Sequence, residues 1–192
     1  MVRALKQRTY TLEQYLELEL ASQERHEYRN GAIQPMTGGT PNHNTIAGNL
    51  YVLLKLALKG KPYRLFYTDQ RLAIPDLNLY TYPDVMVMEK PLQLLGGRND
   101  TVVNPCFVAE VLSKSTGNYD RGEKFAAYRT LDSFREYLLI DQYRICIEHY
   151  VKTMPNQWLL SEYYPSDLQF CLRAIAAEIE ISSLYEDVNF DV

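Results

Sequence analysis

Residues 105–113 read PCFVAEVLS. Phe107, Val108, Ala109, Val111 and Leu112 make the short, continuous apolar run of a strand buried on both faces. Glu110 interrupts it. Ionising a carboxylate in an apolar surround costs several kcal/mol, roughly, unless it has a partner. Either a cation meets Glu110 or the strand is less buried than its composition implies.

Working outward, a second apolar strand, YPDVMVME (82–89), precedes it, separated by the turn-rich KPLQLLGGRND (90–100). Before that, YRLFYTDQRLAIP (63–75) reads as a strand bent or interrupted near Asp69. On the other side, NYDRGEKFAAYRTL (118–131) reads as a helix with Phe125, Ala126 and Tyr128 inward, and EYLLID (136–141) and RICIEHYVK (144–152) as two strands joined by a short turn. QWLLSEYY and AEIEISSLY, in the C-terminal part, suggest more strand.

Toward the N-terminus, Thr11 and Gln14 have capping-box spacing, which predicts a helix over about 12–22. In HEYRNGAIQPM (26–36), Asn30-Gly31 between two extended runs signals a hairpin. TGGTPNHN (37–44) reads as a loop. Ile46, Ala47, Leu50, Leu53, Leu54, Ala57 and Leu58 then mark one face of a long helix ending at Gly60. The order predicts an α/β (α+β) fold, a mixed sheet flanked by helices. A chain of 192 residues is most simply one domain over 1–192, with a core about 10–150 and a strand-rich extension over 151–192.

Composition narrows the function classes. Cys106, Cys146 and Cys171 are scattered, with no C-x-x-C, and read as thiols in a reducing compartment. The first twenty residues are too polar for a signal peptide, and no apolar run approaches the ~20 residues of a membrane helix. The expectation is a cytoplasmic protein with no membrane partner. Net charge is −4, which counts mildly against a nucleic-acid binder. Residues 153–192, however, hold one arginine against seven acids, so residues 1–152 sum to +2. Lys55, Lys59, Lys61, Arg64 and Arg71 there oppose only Asp69 and can form a local basic face, although a solvated helix end explains most such runs.

Asp84 opens one apolar strand and Glu110 sits inside the next. If the strands pair, the two carboxylates converge, and two like charges in a partly dry site need compensation. A divalent cation supplies it, and paired carboxylates with water suit Mg²⁺ or Mn²⁺. Salt bridges to Arg or Lys supply it equally well. Lys124, in the following helix, is the candidate cation that would orient water or neutralise developing charge. A solvated lysine paired with Asp120 at i, i+4 is the plainer reading of the same residue.

YPDVMVM, then the Glu of FVAEVLSKST 26 residues after Asp84, then DRGEKFAAYRTLDSFREYLLID, resembles the restriction-endonuclease-like PD-(D/E)XK superfamily. More narrowly, the chain resembles a large group of bacterial proteins assigned as nucleases and long grouped as a domain of unknown function. HEYRNGAIQPMTGGTPNHNTIAGNL extends the likeness to roughly residues 10–150. The resemblance implies a metal-dependent DNA endonuclease, a phosphodiester hydrolase, with Asp84 and Glu110 as ligands of Mg²⁺ or Mn²⁺ and a homodimer as the working form. The superfamily's lysine belongs two residues after the acid, where this chain has Leu112; Lys124 in DRGEK is the matching position in the narrower group. Glu27, His43 and Ser113 match further positions there, as an extra carboxylate, a phosphate or water contact, and a strand-end residue. A hairpin surface, a cap and a strand-end hydrogen bond account for these three as readily. The alternative from another class is a catalytically inactive nucleic-acid- or protein-binding module on the same fold.

Overall fold

The computed structural model describes residues 9–36 and 38–191. The first eight residues of the polar N-terminal stretch, and Thr37 of TGGTPNHN, lie outside them. Local signals set the first elements. Thr11 caps α1 (Leu12–Ala21) through the reciprocal Thr11–Gln14 bonds that the spacing predicts. β1 (His26–Arg29) and β2 (Ala32–Pro35) are joined by Asn30 and Gly31, whose φ angles of 46° and 90° are those of a two-residue type I′ turn.

The segment expected as a loop is half helix. Thr40 caps α2 (Pro41–Ala57), so Pro41, Asn42 and His43 are its first turn. Proline costs nothing at that position because its missing N–H would have no partner in the helix. Thr40 Oγ1 accepts the His43 N–H at 3.2 Å. At the far end α2 stops at Ala57, before Gly60.

YRLFYTDQRLAIP is interrupted as predicted, at Thr68 (φ 52°), and the interruption divides it between two sheets. The strands that follow are β3 (Tyr63–Tyr67), β4 (Arg71–Ile74), β5 (Leu79–Thr81), β6 (Val85–Glu89), β7 (Thr101–Val102) and β8 (Pro105–Leu112). A helical segment comes next: α3 (Gly117–Tyr119), a π turn over Asp120–Lys124, and α4 (Phe125–Tyr128). The chain continues with β9 (Glu136–Asp141), β10 (Ile147–Met154), β11 (Gln157–Tyr163), β12 (Gln169–Leu172), β13 (Ala177–Glu180) and α5 (Ile181–Leu184). β5, β7 and β12 are too short, at two to four residues, to have left a periodic signal.

The result is an α+β fold. The central sheet has the order β11-β10-β9-β8-β6-β3, mixed because β8 and β9 run parallel while the other neighbours are antiparallel. A smaller sheet, β2-β1-β5-β4-β7, lies beside it, and β12–β13 form a hairpin. Alternation along β8 divides its residues between two cores. Phe107, Ala109 and Val111 share a cluster with α2, α5 and the β12–β13 hairpin. Val108 and Leu112 face Phe125, Tyr128, Tyr137 and residues of the smaller sheet. Glu110, two residues from each, points to that second side.

Two details correct the sequence reading. Ala127 is buried and Ala126 exposed, because the inward face is set from Lys124 at three- and four-residue steps. Arg71 belongs to no basic face: it is 6% exposed and donates to the Tyr82 hydroxyl at 2.8 Å. Among the described residues no helix is long and apolar enough to cross a membrane.

Candidate active site

β6 and β8 pair antiparallel with Val85 opposite Ala109, which puts Asp84 beside Glu110. The Asp84 N–H donates to Glu110 Oε2 at 3.3 Å, and Asp84 Oδ2 accepts the Val111 N–H at 2.8 Å. Glu110 is 3% exposed, so the strand is as buried as its composition implied. Its partner is Lys124, whose Nζ lies 2.8 Å from Glu110 Oε1 and 3.4 Å from Asp120 Oδ1. Lys124 meets Asp120 at i, i+4, as its plainer reading held, but it does so inside the protein and in contact with Glu110.

Strand geometry explains why Leu112 can stand where a lysine is expected. Residues i and i+2 of a strand share a face, so Leu112 lies on the same side of the sheet as Glu110. Leucine fills that space with apolar contacts, and the helical segment covering the same side supplies the ammonium instead. Asp120 and Lys124 are the first and last residues of the π turn, and both are buried. Such wide turns inside helices recur at functional sites.

Electrostatics couple the protonation of Glu110 and Lys124. Burial raises the Glu110 carboxyl well above the ordinary range against the opposing pull of Lys124. Burial also works against charge on Lys124, but Glu110, Asp120 and Glu27 outweigh it and keep the ammonium protonated far above the usual lysine value. Tyr128, fully buried, donates its hydroxyl to Glu110 Oε1 at 2.8 Å, so that oxygen receives two donors. Tyr137 donates to the Asp120 carbonyl at 3.1 Å and steadies the π turn.

Of the supporting residues, the structure brings two to the site and leaves one out. His43, projecting from the first turn of α2, places Nε2 3.2 Å from Asp84 Oδ2. Burial opposes its proton, but Asp84 and Glu110 raise its pKa above the ordinary 6.5. Glu27 stands on β1 near Lys124, with Oε1 buried. The Tyr119 hydroxyl lies beside it, and burial, together with the charge and contact of Glu27, pushes that phenol up. Ser113 serves its own loop, meeting Ser115 Oγ at 3.1 Å and Thr116 Oγ1 at 2.9 Å. The residues not foreseen as part of the site are Asp120, taken only as a helix partner, and Tyr128, taken only as packing. Both stand four residues from Lys124, and that spacing was the available signal.

The donor set can be tested against a metal. Among the described residues no three His, Cys, Asp or Glu side chains converge as a ligand cluster. Two adjacent carboxylates are present, and Mg²⁺ commonly uses one or two with water and substrate oxygens. Both protein partners of the Asp84 carboxylate fall on Oδ2, which leaves Oδ1 open. Asp84 and Glu110 therefore fit Mg²⁺ or Mn²⁺ as far as donor type and adjacency go.

The chain is similar to known proteins in sequence and in fold. An uncharacterised protein of Synechocystis sp., sll1609, is 41% identical over 152 residues, covering 79% of this chain and 86% of its own. A second from the same organism, slr1290, is 34% identical over 180 residues, covering 93% and 92%. A crystal structure described as "a putative nuclease belonging to DUF820", from Anabaena variabilis, shares the fold with a TM-score of 0.72 at 18% identity, covering 91% of this chain and 97% of its own. The family model described as "Putative restriction endonuclease" matches residues 12–182, so this chain, with its paired carboxylates and its lysine delivered from a helix, belongs to the Uma2 family.

Proposed function

We propose that the protein is a metal-dependent nuclease that hydrolyses phosphodiester bonds in DNA. The observation that carries this reading is the 2.8 Å contact between Lys124 Nζ and Glu110 Oε1, beside Asp84. It restores acid, acid and lysine in one place although Leu112 stands at the usual lysine position.

Asp84 and Glu110 would hold Mg²⁺ or Mn²⁺, which supplies polarisation of the scissile phosphate and a lowered pKa for bound water. Lys124 is not a base, because its pKa lies far above neutrality. Its role is to orient the attacking water and to neutralise charge on the phosphoryl oxygens. His43 Nε2, 3.2 Å from Asp84 Oδ2, would orient that carboxylate toward a bound cation. Tyr128 fixes Glu110 Oε1, so that Oε2 faces Asp84. The homodimer is part of the same proposal, since two sites related by a two-fold axis suit two strands of a duplex; sedimentation velocity of the purified protein tests it.

The second reading, a catalytically inactive binding module, has one observation in its favour. Both carboxylates already have cationic partners, His43 and Lys124, so the fold does not depend on a metal to balance them. Nicking of supercoiled plasmid across Mn²⁺ and Mg²⁺ titrations separates the two readings. The expected result is nicking that EDTA stops and Glu110→Ala abolishes. No nicking and no Mn²⁺ binding by folded wild type favour the binding module, whereas equal nicking by wild type and Glu110→Ala marks a contaminating nuclease.

A further inference from the structure

The turn from β9 to β10 holds an aromatic ring in the open on a rigid base. Tyr143 is 42% exposed, yet its backbone N–H donates to Asp141 Oδ1 at 2.8 Å. The residue before it, Gln142, is buried: its Nε2 donates to the Leu112 carbonyl at 2.7 Å and its Oε1 accepts from Thr40 Oγ1. Asn42 Nδ2 donates to the Gln142 carbonyl at 3.4 Å. Thr40 and Asn42 belong to the capped first turn of α2 that carries His43. The exposed ring is thus tied to the same backbone that positions the site.

A cation accompanies it. Lys114, in the loop after β8, places Nζ 5.2 Å from the Tyr143 ring centroid, and its N–H reaches the Tyr143 hydroxyl at 3.4 Å. Neighbouring Arg144 is engaged by Asp141 at 3.3 Å, which leaves Lys114 as the cation of this pair. β8 and β9 run parallel with Leu112 opposite Asp141, so both loops leave the central sheet at one end. Asp84 opens antiparallel β6 at that end, and Glu110 lies two residues before Leu112.

We propose that Tyr143 and Lys114 form a platform for an unpaired nucleotide at the mouth of the site. A base stacks on the ring face away from Lys114, and the adjoining phosphate meets the Lys114 ammonium. An aromatic face beside a cation is the common arrangement for unpaired strands, because every base offers a π face once it is unstacked. A paired duplex offers none along its length, so the ligand is a single strand, a frayed end or a flipped nucleotide, of DNA or RNA. The platform's place beside a catalytic centre rests on the nuclease reading; its binding chemistry does not.

The test is fluorescence anisotropy of labelled dT and rU oligonucleotides and of a blunt duplex, in EDTA, across a salt series, with Mn²⁺ binding measured separately. Wild type is expected to bind the single strands more tightly than the duplex. Tyr143→Ala should lose roughly 5- to 150-fold in affinity, the range of one stacked base, while Tyr143→Phe retains it. Lys114→Ala should reduce the slope of log K against log salt by about 0.7, one phosphate contact on a single strand. Unchanged binding by folded Tyr143→Ala, or preference for the duplex, overturns the platform. If Tyr143-dependent binding appears without Mn²⁺ binding, the platform stands and the nuclease reading fails. With metal-dependent nicking but no oligonucleotide binding, the nuclease reading stands and the platform fails.

Discussion

A glutamate in the middle of an apolar strand stands beside a lysine that is equally buried, and each makes the other tolerable. Removing one partner of a buried pair typically costs about 3–5 kcal/mol, because the remaining charge is left without compensation. Lys124→Ala is therefore expected to lower the stability of the metal-free protein by about that amount, measured by urea unfolding in EDTA. The sign of the pH effect follows from Glu110, whose folded pKa is raised from 4.5 to about 8. The folded state binds the extra proton between those values, so this contribution is fully present below about 4.5 and is lost as pH rises towards 8. Lys124→Ala should carry that loss to higher pH, because Glu110 then keeps its proton longer, and Glu110→Gln should remove it; the same pH dependence in all three proteins would contradict the assignment. At this scale Asp84 and Glu110 were legible as acids on apolar strands. Tyr128 was not, because a tyrosine that packs and a tyrosine that donates to a buried carboxylate look alike until the acceptor is placed opposite.

Among the elements, the start of α2 and the π turn decide how the site is made. Both were harder to read than the strands. TGGTPNHN has the composition of a loop, and its helical half, from Pro41 on, follows from Thr40 capping His43, a contact that composition does not encode. The π turn is invisible to a 3.6-residue period, which it obeys on either side. Gly39 has a specific role here: a Cβ in its place would lie 2.6 Å from His43 Nδ1 and 2.9 Å from Cγ. The loop can cross the imidazole only where no side chain intervenes. Gly39→Ala should push the ring off Asp84 and lower its titration midpoint from above 6.5 towards the ordinary value, because the carboxylate that favours the imidazolium is then farther away. A proton NMR titration of the His43 ring in metal-free protein reads this directly. An unchanged midpoint would mean that the loop, not the ring, gives way.

For the molecule as a whole, the central sheet was legible because β6, β8 and β9 each carry an apolar run and β10 alternates. The smaller sheet was not, since β5 and β7 are short and take their meaning from strands far away in sequence. The three thiols test the arrangement. Cys106 is fully buried and its thiol is pushed up to about 11, Cys146 is buried and also raised, and Cys171 is exposed on β12. A disulfide reagent at pH 8 should modify Cys171 quickly and the other two only after urea is added; three fast thiols would contradict the packing. The chain passes from the central sheet to the smaller one at Thr68 and returns at Asp84, and the Thr68 N–H donates to the Asp84 carbonyl at 2.9 Å. Asp84 thus closes the crossing between the two sheets with its carbonyl and holds β8 with its carboxylate, so replacing the side chain should alter the site and leave the join of the sheets in place.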